Sequence, residues 1–293
     1  MIISIALVLQ FFISCTSEDM STVETETVDF NQIYIIESSS YVGAFVNNET
    51  SFSILIYMPR LKQMSDSSYS AIIKSFMNEY EYSILSDQNS SSLQLENASL
   101  FVQAEKGDFF TLSFSIPNPK QGVYIYYELE AKNRFSNLIV KHAIGEWYFD
   151  VRTEPSNQYI ELTAGTGLSG SALDFFAASL TNIANNNVEV VGADIVLNNT
   201  DIQSKVVVFD SFDDMMSNSS QIVSKDCIII NPNQNKTFKF DYSESENIDK
   251  PVFIKPFIEY KINGETVVYL PLNGAQFIPL PDEDELLKLA MGG

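Results

Sequence analysis

The chain of 293 residues has one histidine, one tryptophan and two cysteines. A lone imidazole, His142, excludes any site built from two histidines within one chain, including HExxH zinc sites and the two-histidine facial triad. A Ser-His-Asp or Cys-His arrangement would have to use it, yet no GxSxG elbow occurs, and "LIVKHAIGEW" reads as a strand with His142 at its rim. No D-x-[DN]-x-[DN]-G loop offers a calcium site, and "FDSFDDMM" lacks the turn glycine. No metal and no cofactor are therefore expected. Basic residues are also scarce, 17 Lys and Arg against 38 Asp and Glu, for a formal net charge of −21. Such a surface repels phosphate backbones, so nucleic acid is not expected as a partner.

Long apolar runs are almost missing. Residues 2–15, "IISIALVLQFFISC", fall short of the roughly 20 residues that cross a bilayer, and the small residues Ser14, Cys15, Thr16 and Ser17 close the run. This reads as a secretory signal peptide over residues 1–17, although no Lys or Arg precedes the apolar part. The alternative is a lipobox at "FISC", with the chain lipid-anchored through Cys15. No later stretch approaches spanning length, so no membrane span is expected. With the signal removed, Cys227 is left without a partner for an intrachain disulfide, and "KDCIIINP" places it as a small buried strand residue.

The first basic residue is Arg60, preceded by Glu18, Asp19, Glu24, Glu26, Asp29, Glu37 and Glu49. Residues 18–30 read as a solvated acidic segment, and residues 282–293 as an acidic C-terminal tail. Six Asn-x-Ser/Thr acceptors stand at Asn48, Asn89, Asn97, Asn198, Asn218 and Asn235. Together with the signal they point to N-glycosylation, and to a protein that is secreted or held in the endoplasmic reticulum lumen.

From about residue 30 the text consists of short alternating or apolar runs punctuated by Asn, Ser, Gly and Pro. "SFSILIYMP", "FFTLSFSIP", "GVYIYYELEA", "SNLIVKHA", "WYFDVRT", "KVVVFD" and "KTFKFDYS" have the period-two pattern and β-branched and aromatic content of strands. "KINGET" puts Asn263-Gly264 between two runs, a two-residue hairpin signal. Two segments have helical spacing instead: Tyr69, Ile72, Ile73, Phe76, Met77 and Tyr80, then Leu173, Phe176, Ala177, Leu180, Ile183 and Ala184. "RTEPSNQ" carries turn chemistry and marks a boundary. The expectation is a mainly β protein of two immunoglobulin-like β-sandwich domains, 31–153 and 159–281, with one or two short packing helices.

Two patterns invite a chemical reading. Gly165-x-Gly167-x-x-Gly170 precedes the second helical pattern, with Glu189 or Asp194 where a ribose-binding acid would stand. The runs beyond it are joined by segments too short for the crossover helices of a doubly wound sheet, so a Gly/Ser loop is the reading preferred. The second pattern is carboxylate pairing. Glu128 and Glu130 would share one strand face, and Glu146 and Asp150 flank Trp147. On a strand Trp147, Phe149 and Val151 fall on one face and Tyr148, Asp150 and Arg152 on the other, which reads as core opposite solvent.

From about Asp174 to Leu280 the chain resembles an immunoglobulin-like sandwich used in membrane traffic. "FFAASLTNIANNNVEVVGADIVL" resembles the strand, turn and strand of such modules, and "IIINPNQNKTFKFDY" the following pair. "KPFIEYKINGETVVYLPLNGAQFIPL" resembles the closing strands of the lumenal domain of the translocon-associated protein alpha subunit, and those of the clathrin-adaptor appendage, or ear. The chain departs from the first in lacking a membrane span and basic tail, and from the second in lacking a solenoid. No functional residue carries over. The absence of a compact catalytic set leaves a binding or scaffolding module that recognises a protein as the leading expectation. A carboxylate-dependent glycoside hydrolase or carbohydrate-binding protein, and an appendage-like trafficking module, are the alternatives.

Overall fold

The computed structural model describes residues 30–59, 66–166, 175–193, 195–197, 200–202, 205–217, 222–223, 228–241, 251–269, 275–277 and 288. The expected signal peptide, the acidic segment as far as Asp29, Cys15, Cys227, Asn198, Asn218, Gly167, Gly170 and all of the C-terminal tail except Lys288 lie outside the described residues.

In chain order the first part contains β1 (Tyr34–Ile35), β2 (Ser38–Phe45), β3 (Thr50–Pro59), α1 (Asp66–Glu79), β4 (Tyr80–Leu85), β5 (Ser90–Gln103), β6 (Gly107–Ile116), β7 (Gly122–Asn133) and β8 (Ile139–Arg152). There follow β9 (Ile160–Thr166), β10 (Phe175–Asn182), β11 (Val188–Gly192), β12 (Ile195–Leu197), β13 (Thr200–Ile202), β14 (Lys205–Phe209), α2 (Phe212–Met216) and β15 (Ile222–Val223). The last are β16 (Ile228–Ile230), β17 (Asn235–Asp241), β18 (Val252–Lys255), β19 (Ile258–Ile262), β20 (Glu265–Tyr269) and β21 (Ala275–Phe277). The chain is mainly β and layered, as its patterning implies.

A ten-stranded sheet runs in the order β1-β3-β6-β5-β4-β7-β8-β2-β18-β21. It doubles back at the long strand β5, whose residues Ser90–Leu93 pair with β4 while Gln94–Gln103 pair with β6. The two leaves meet face to face through aromatic rings. Phe52 of β3 lies 5.0 Å from Trp147 and 5.3 Å from Phe149 of β8, and Phe114 of β6 lies 5.0 Å from Tyr82 of β4. The helix α1 crosses between the leaves and buries Tyr69, Ile72 and Phe76 at helical spacing, with Phe76 5.9 Å from Phe110.

A second sandwich faces β15-β14-β17-β10-β9 against β16-β11-β19-β20. Its core gathers Phe176, Leu180, Val208, Phe238 and Phe240 from one sheet and Val190, Ile230, Ile258 and Tyr260 from the other. The β19–β20 turn has positive φ at both Asn263 (53°) and Gly264 (85°), the geometry that "NG" encodes.

Three expectations are corrected. The segment with the second helical spacing is the strand β10, paired on both sides, with β17 and with β9. Five consecutive residues, Phe176–Leu180, are buried, so both faces are apolar and period two is hidden. "SNLIVKHA" and "WYFDVRT" are not separate strands but one, β8, with extra residues between Ala143 and Trp147, where the pairing with β7 shifts register. Gly145 sits in this bulge at φ 82°, and a side chain there would collide with the Ser38 backbone of β2. Finally, the outer face of β8 does not meet open solvent. Tyr148 packs against the second core, and Asp150 and Arg152 are half-buried.

That packing follows from β18, which stands late in the sequence yet pairs in parallel with β2, itself parallel to β8. Across β8, β2 and β18, Trp147, Phe149, Val42 and Phe253 point into the first core. Tyr148, Tyr41, Val252 and Ile254 point into the second. Lys255 shares the parity of Phe253 and is 4% exposed, its Nζ donating to Thr50 Oγ1 at 3.2 Å. Burial pushes its pKa down to about 8.

Two outcomes are expected from this core. Trp147 is fully buried, with its indole N–H donating to the Ile144 carbonyl at 3.1 Å. Trp147→Ala should therefore lower unfolding free energy by about 3–5 kcal/mol in urea titrations. For Lys255 the folded pKa of about 8 lies below the unfolded value of about 10.4. Between those values the unfolded chain holds more protons, so this group makes stability rise with pH there, and its cost is fully present below pH about 8. Lys255→Met should be more stable than the parent by about 1–3 kcal/mol at pH 7, with the gap closing by pH about 10.

Candidate functional site

The feature most exposed for its chemistry is the tip of the β7–β8 hairpin. Phe135 is 81% exposed, with Leu138 and Ile139 beside it also open to solvent. The tip is held rather than loose. Asn133 Oδ1 accepts from the main-chain N–H of Phe135 (2.9 Å) and Ser136 (3.0 Å), the Asn133 N–H donates to the Leu138 carbonyl (2.9 Å), and the Arg134 N–H donates to the Glu79 carbonyl of α1 (2.8 Å). This Asx turn fixes the backbone that carries the phenyl ring. Lys132 and Arg134 flank it, both exposed, in a molecule that is otherwise strongly acidic. An aromatic residue within the turn-forming run "NRFSN", between two alternating strand patterns, is the sequence signal for this tip.

At the far end of the same hairpin lies a cleft of 310 Å³. The β4–β5 turn contributes Asn89, the start of β5 Ser90–Ser92, the end of β6 Ile116, the β6–β7 loop Pro117–Lys120, and β7 and β8 contribute Tyr124, Tyr126, Phe149 and Val151. Tyr124 and Tyr126 lie with ring centroids 6.2 Å apart at 23°, and the Tyr126 hydroxyl shares a 2.8 Å hydrogen bond with Ser91 Oγ. Burial, more than its bond to Ser91, decides the direction in which the Tyr126 hydroxyl shifts, and it is raised above the usual tyrosine range. Among the described residues the lining holds rings, hydroxyls, amides and one cation, Lys120, and no carboxylate or imidazole.

The carboxylates singled out in the sequence are not brought together at this cleft. Glu128 and Glu130 project from the outer face of β7, where Glu130 pairs with Lys141 at 3.5 Å. Glu146 lies in the β8 bulge, away from the cleft lining. Asp150 is committed to the seam between the two cores, accepting from Tyr41 Oη (3.0 Å) and from Arg152 Nη2 (2.7 Å) and Nε (2.9 Å). Arg152 also reaches Glu259 at 3.5 Å and lies 4.5 Å over the Phe257 ring. Burial followed by the Asp150 charge pushes the Tyr41 hydroxyl far above its ordinary range. Burial works against the Arg152 charge, but the bonds to Asp150 outweigh it and raise the guanidinium pKa. This constellation is a clamp, with its polar groups spent on one another.

His142 is half-buried, its Nε2 2.8 Å from the Phe30 carbonyl, where it ties the entry of the chain to β8. Gly165 lies within β9 opposite Ala178, so the segment after the glycine motif leads to a strand and not to the helix a pyrophosphate needs. Of the four sequons among the described residues, Asn48 donates to Glu154 (3.1 Å) and Asn235 to Thr163 (2.6 Å) and Thr181 (2.8 Å). Asn97 is exposed within β5, and Asn89 is exposed at the cleft.

No family model matches the chain, and no curated protein matches it. Among solved structures, a protein of unknown function from Porphyromonas gingivalis aligns at 8% identity and a TM-score of 0.20, over 84% of this chain and 99% of that one. A chimeric titin Z1Z2 segment aligns at 9% and 0.22, over 85% and 97%, and the IG1 and IG2 segment of DIP-gamma at 10% and 0.20, over 84% and 96%. At such TM-scores these likenesses carry no argument, and the layered β architecture rests on the chain's own strand pairing.

Proposed function

We propose that the chain is a secretory-route glycoprotein that recognises a protein partner and carries out no catalysis, gripping that partner through the tip of the β7–β8 hairpin. The observation that supports this most is Phe135, an aromatic ring left in water on a turn whose hydrogen bonds hold it there. A rigid aromatic anchor loses little conformational entropy on binding, and aromatic and arginine residues dominate the energetics of protein interfaces. Lys132 and Arg134 beside the ring suit a partner pocket rimmed with carboxylates. The secretory assignment is supported by the apolar run at residues 2–15 and by the exposed sequons Asn48, Asn89 and Asn97. Its site of action is the extracellular space or the endoplasmic reticulum lumen, with lipid anchoring through Cys15 as the alternative to a cleaved soluble form.

Two outcomes test this. Peptide mapping of natively expressed chain should find a mature start close to residues 15–18 and added glycan mass on Asn48, Asn89 or Asn97; an intact Met1 with bare asparagines overturns the route. A photo-crosslinking phenylalanine analogue at position 135 should capture one defined protein, and Phe135→Asp should weaken that complex by at least 2 kcal/mol, about thirtyfold, with the unfolding midpoint unchanged. Unchanged affinity in that variant removes the hairpin tip from the interface.

A further inference from the structure

We infer that the cleft beside Tyr124 is the seat of an N-linked glycan carried by Asn89 on its own rim. This rests on the secretory-route reading above. The sequon Asn89-Ser90-Ser91 is itself part of the cleft wall. The turn that presents it is fixed, since the Ser86 N–H donates to the Asn89 carbonyl (2.9 Å) and the Asn89 N–H to Ser86 Oγ (2.9 Å). Among the described residues the amides of Asn48 and Asn235 are tied to other side chains, while Asn89 is exposed and its side-chain amide enters no such bond.

The lining has the chemistry of a pyranose site. A sugar ring has an apolar face of C–H bonds that packs on the electron-rich face of an aromatic ring, and an edge of hydroxyls that needs both donors and acceptors. Tyr124, half-buried and stacked with Tyr126, offers the ring wall. Ser90, Ser92 and Asn118, exposed around it, offer the polar groups. The lack of carboxylates among the described lining residues argues against a cation, and a single Lys120 among them is thin provision for a polyanion. At 310 Å³ the cleft is at the small end of ligand pockets, which run from roughly 300 to 1,000 Å³, and suits the first sugars of a glycan more than a long free ligand.

A glycan attached at the rim reaches this wall as an intramolecular ligand, so it need not lose the translational freedom that a free sugar would. Once seated it joins the β4–β5 turn to the β6–β7 loop and closes that end of the first sandwich. The glycan is then part of the fold, and its removal loosens the two leaves where they meet.

The test uses glycosylated full-length chain. Under native conditions an endoglycosidase should release the Asn89 glycan several-fold more slowly than the Asn97 glycan, with equal rates after denaturation. In urea unfolding, Asn89→Gln should reduce the folding equilibrium constant by about tenfold in the parent and leave it unchanged in a Tyr124→Ala background. Equal native release rates, or additive effects of the two substitutions, overturn the seat. Glycan on Asn48 or Asn97 with Asn89 bare overturns it and leaves the secretory route standing. Bare asparagines throughout overturn both.

Discussion

Everything else in the molecule depends on a shared wall of three parallel strands, β8, β2 and β18, whose two faces belong to different cores. Val42 and Tyr41, adjacent in sequence, lie in the first and the second core respectively. Phe253 and Ile254 divide in the same way. A strand alternates its side chains by construction, so a wall between two apolar cores must be apolar or small on both faces. The residues of β2 meet that demand with Ser38, Ser40, Ala44 and Gly43, small enough for close approach. The hydroxyls among them are satisfied internally, Ser40 donating to Ser38 at 3.0 Å and accepting from the Phe253 N–H at 3.1 Å.

The wall also decides which polar groups the seam tolerates. Arg152 and Asp150 lie on the face of β8 turned toward the second core, and there the guanidinium finds a carboxylate, a second carboxylate and a ring face within reach. Lys255, on the opposite face of β18, has one hydroxyl partner among the described residues and no carboxylate contributing to its titration. The planar fork of arginine can satisfy several partners at a crowded junction, whereas a buried ammonium keeps most of its desolvation cost. The seam thus holds one compensated cation and one poorly compensated one, and the second tunes stability against pH.

How much of this is legible in the sequence depends on how many faces of each strand meet water. Strands of the first part with one wet face, such as β7, announce themselves by alternation, and so do α1, through Tyr69, Ile72 and Phe76, and the Asn263-Gly264 turn. The strand β2 does not, because "SSSYVGAF" has the composition of a turn until its two-sided burial is known. The strand β10 reads as a helix for the same cause, since apolar residues on both faces include, by chance, the i, i+3, i+4 set. The parallel pairing of β18 with β2 joins residues more than 200 positions apart and leaves no local trace. As for the candidate sites, the carboxylates that stood out in the sequence are dispersed or spent on the clamp. The hydroxyls and rings that line the cleft come from four separated segments, a convergence visible only in three dimensions.

The placement of the two exposed features follows from the same architecture. The C-terminal half of β8, Gly145–Arg152, is locked in the wall by β2, and the N-terminal half, from Ile139, carries the β7–β8 hairpin out to solvent. From Tyr126 at the cleft to Phe135 at the tip the strand runs nine residues, roughly 30 Å at about 3.3 Å per residue. A saccharide in the cleft therefore cannot cover the tip, and a partner seated on Phe135 leaves the cleft untouched. The bulge at Gly145 lies between them, and it is what lets β8 turn Val140 and Ile144 inward on one side of the bulge and Trp147 and Phe149 inward on the other. Without that shift of parity, one half of β8 would direct its apolar side chains out of the first core. The device that builds the core thus also sets the spacing of the surfaces available for recognition.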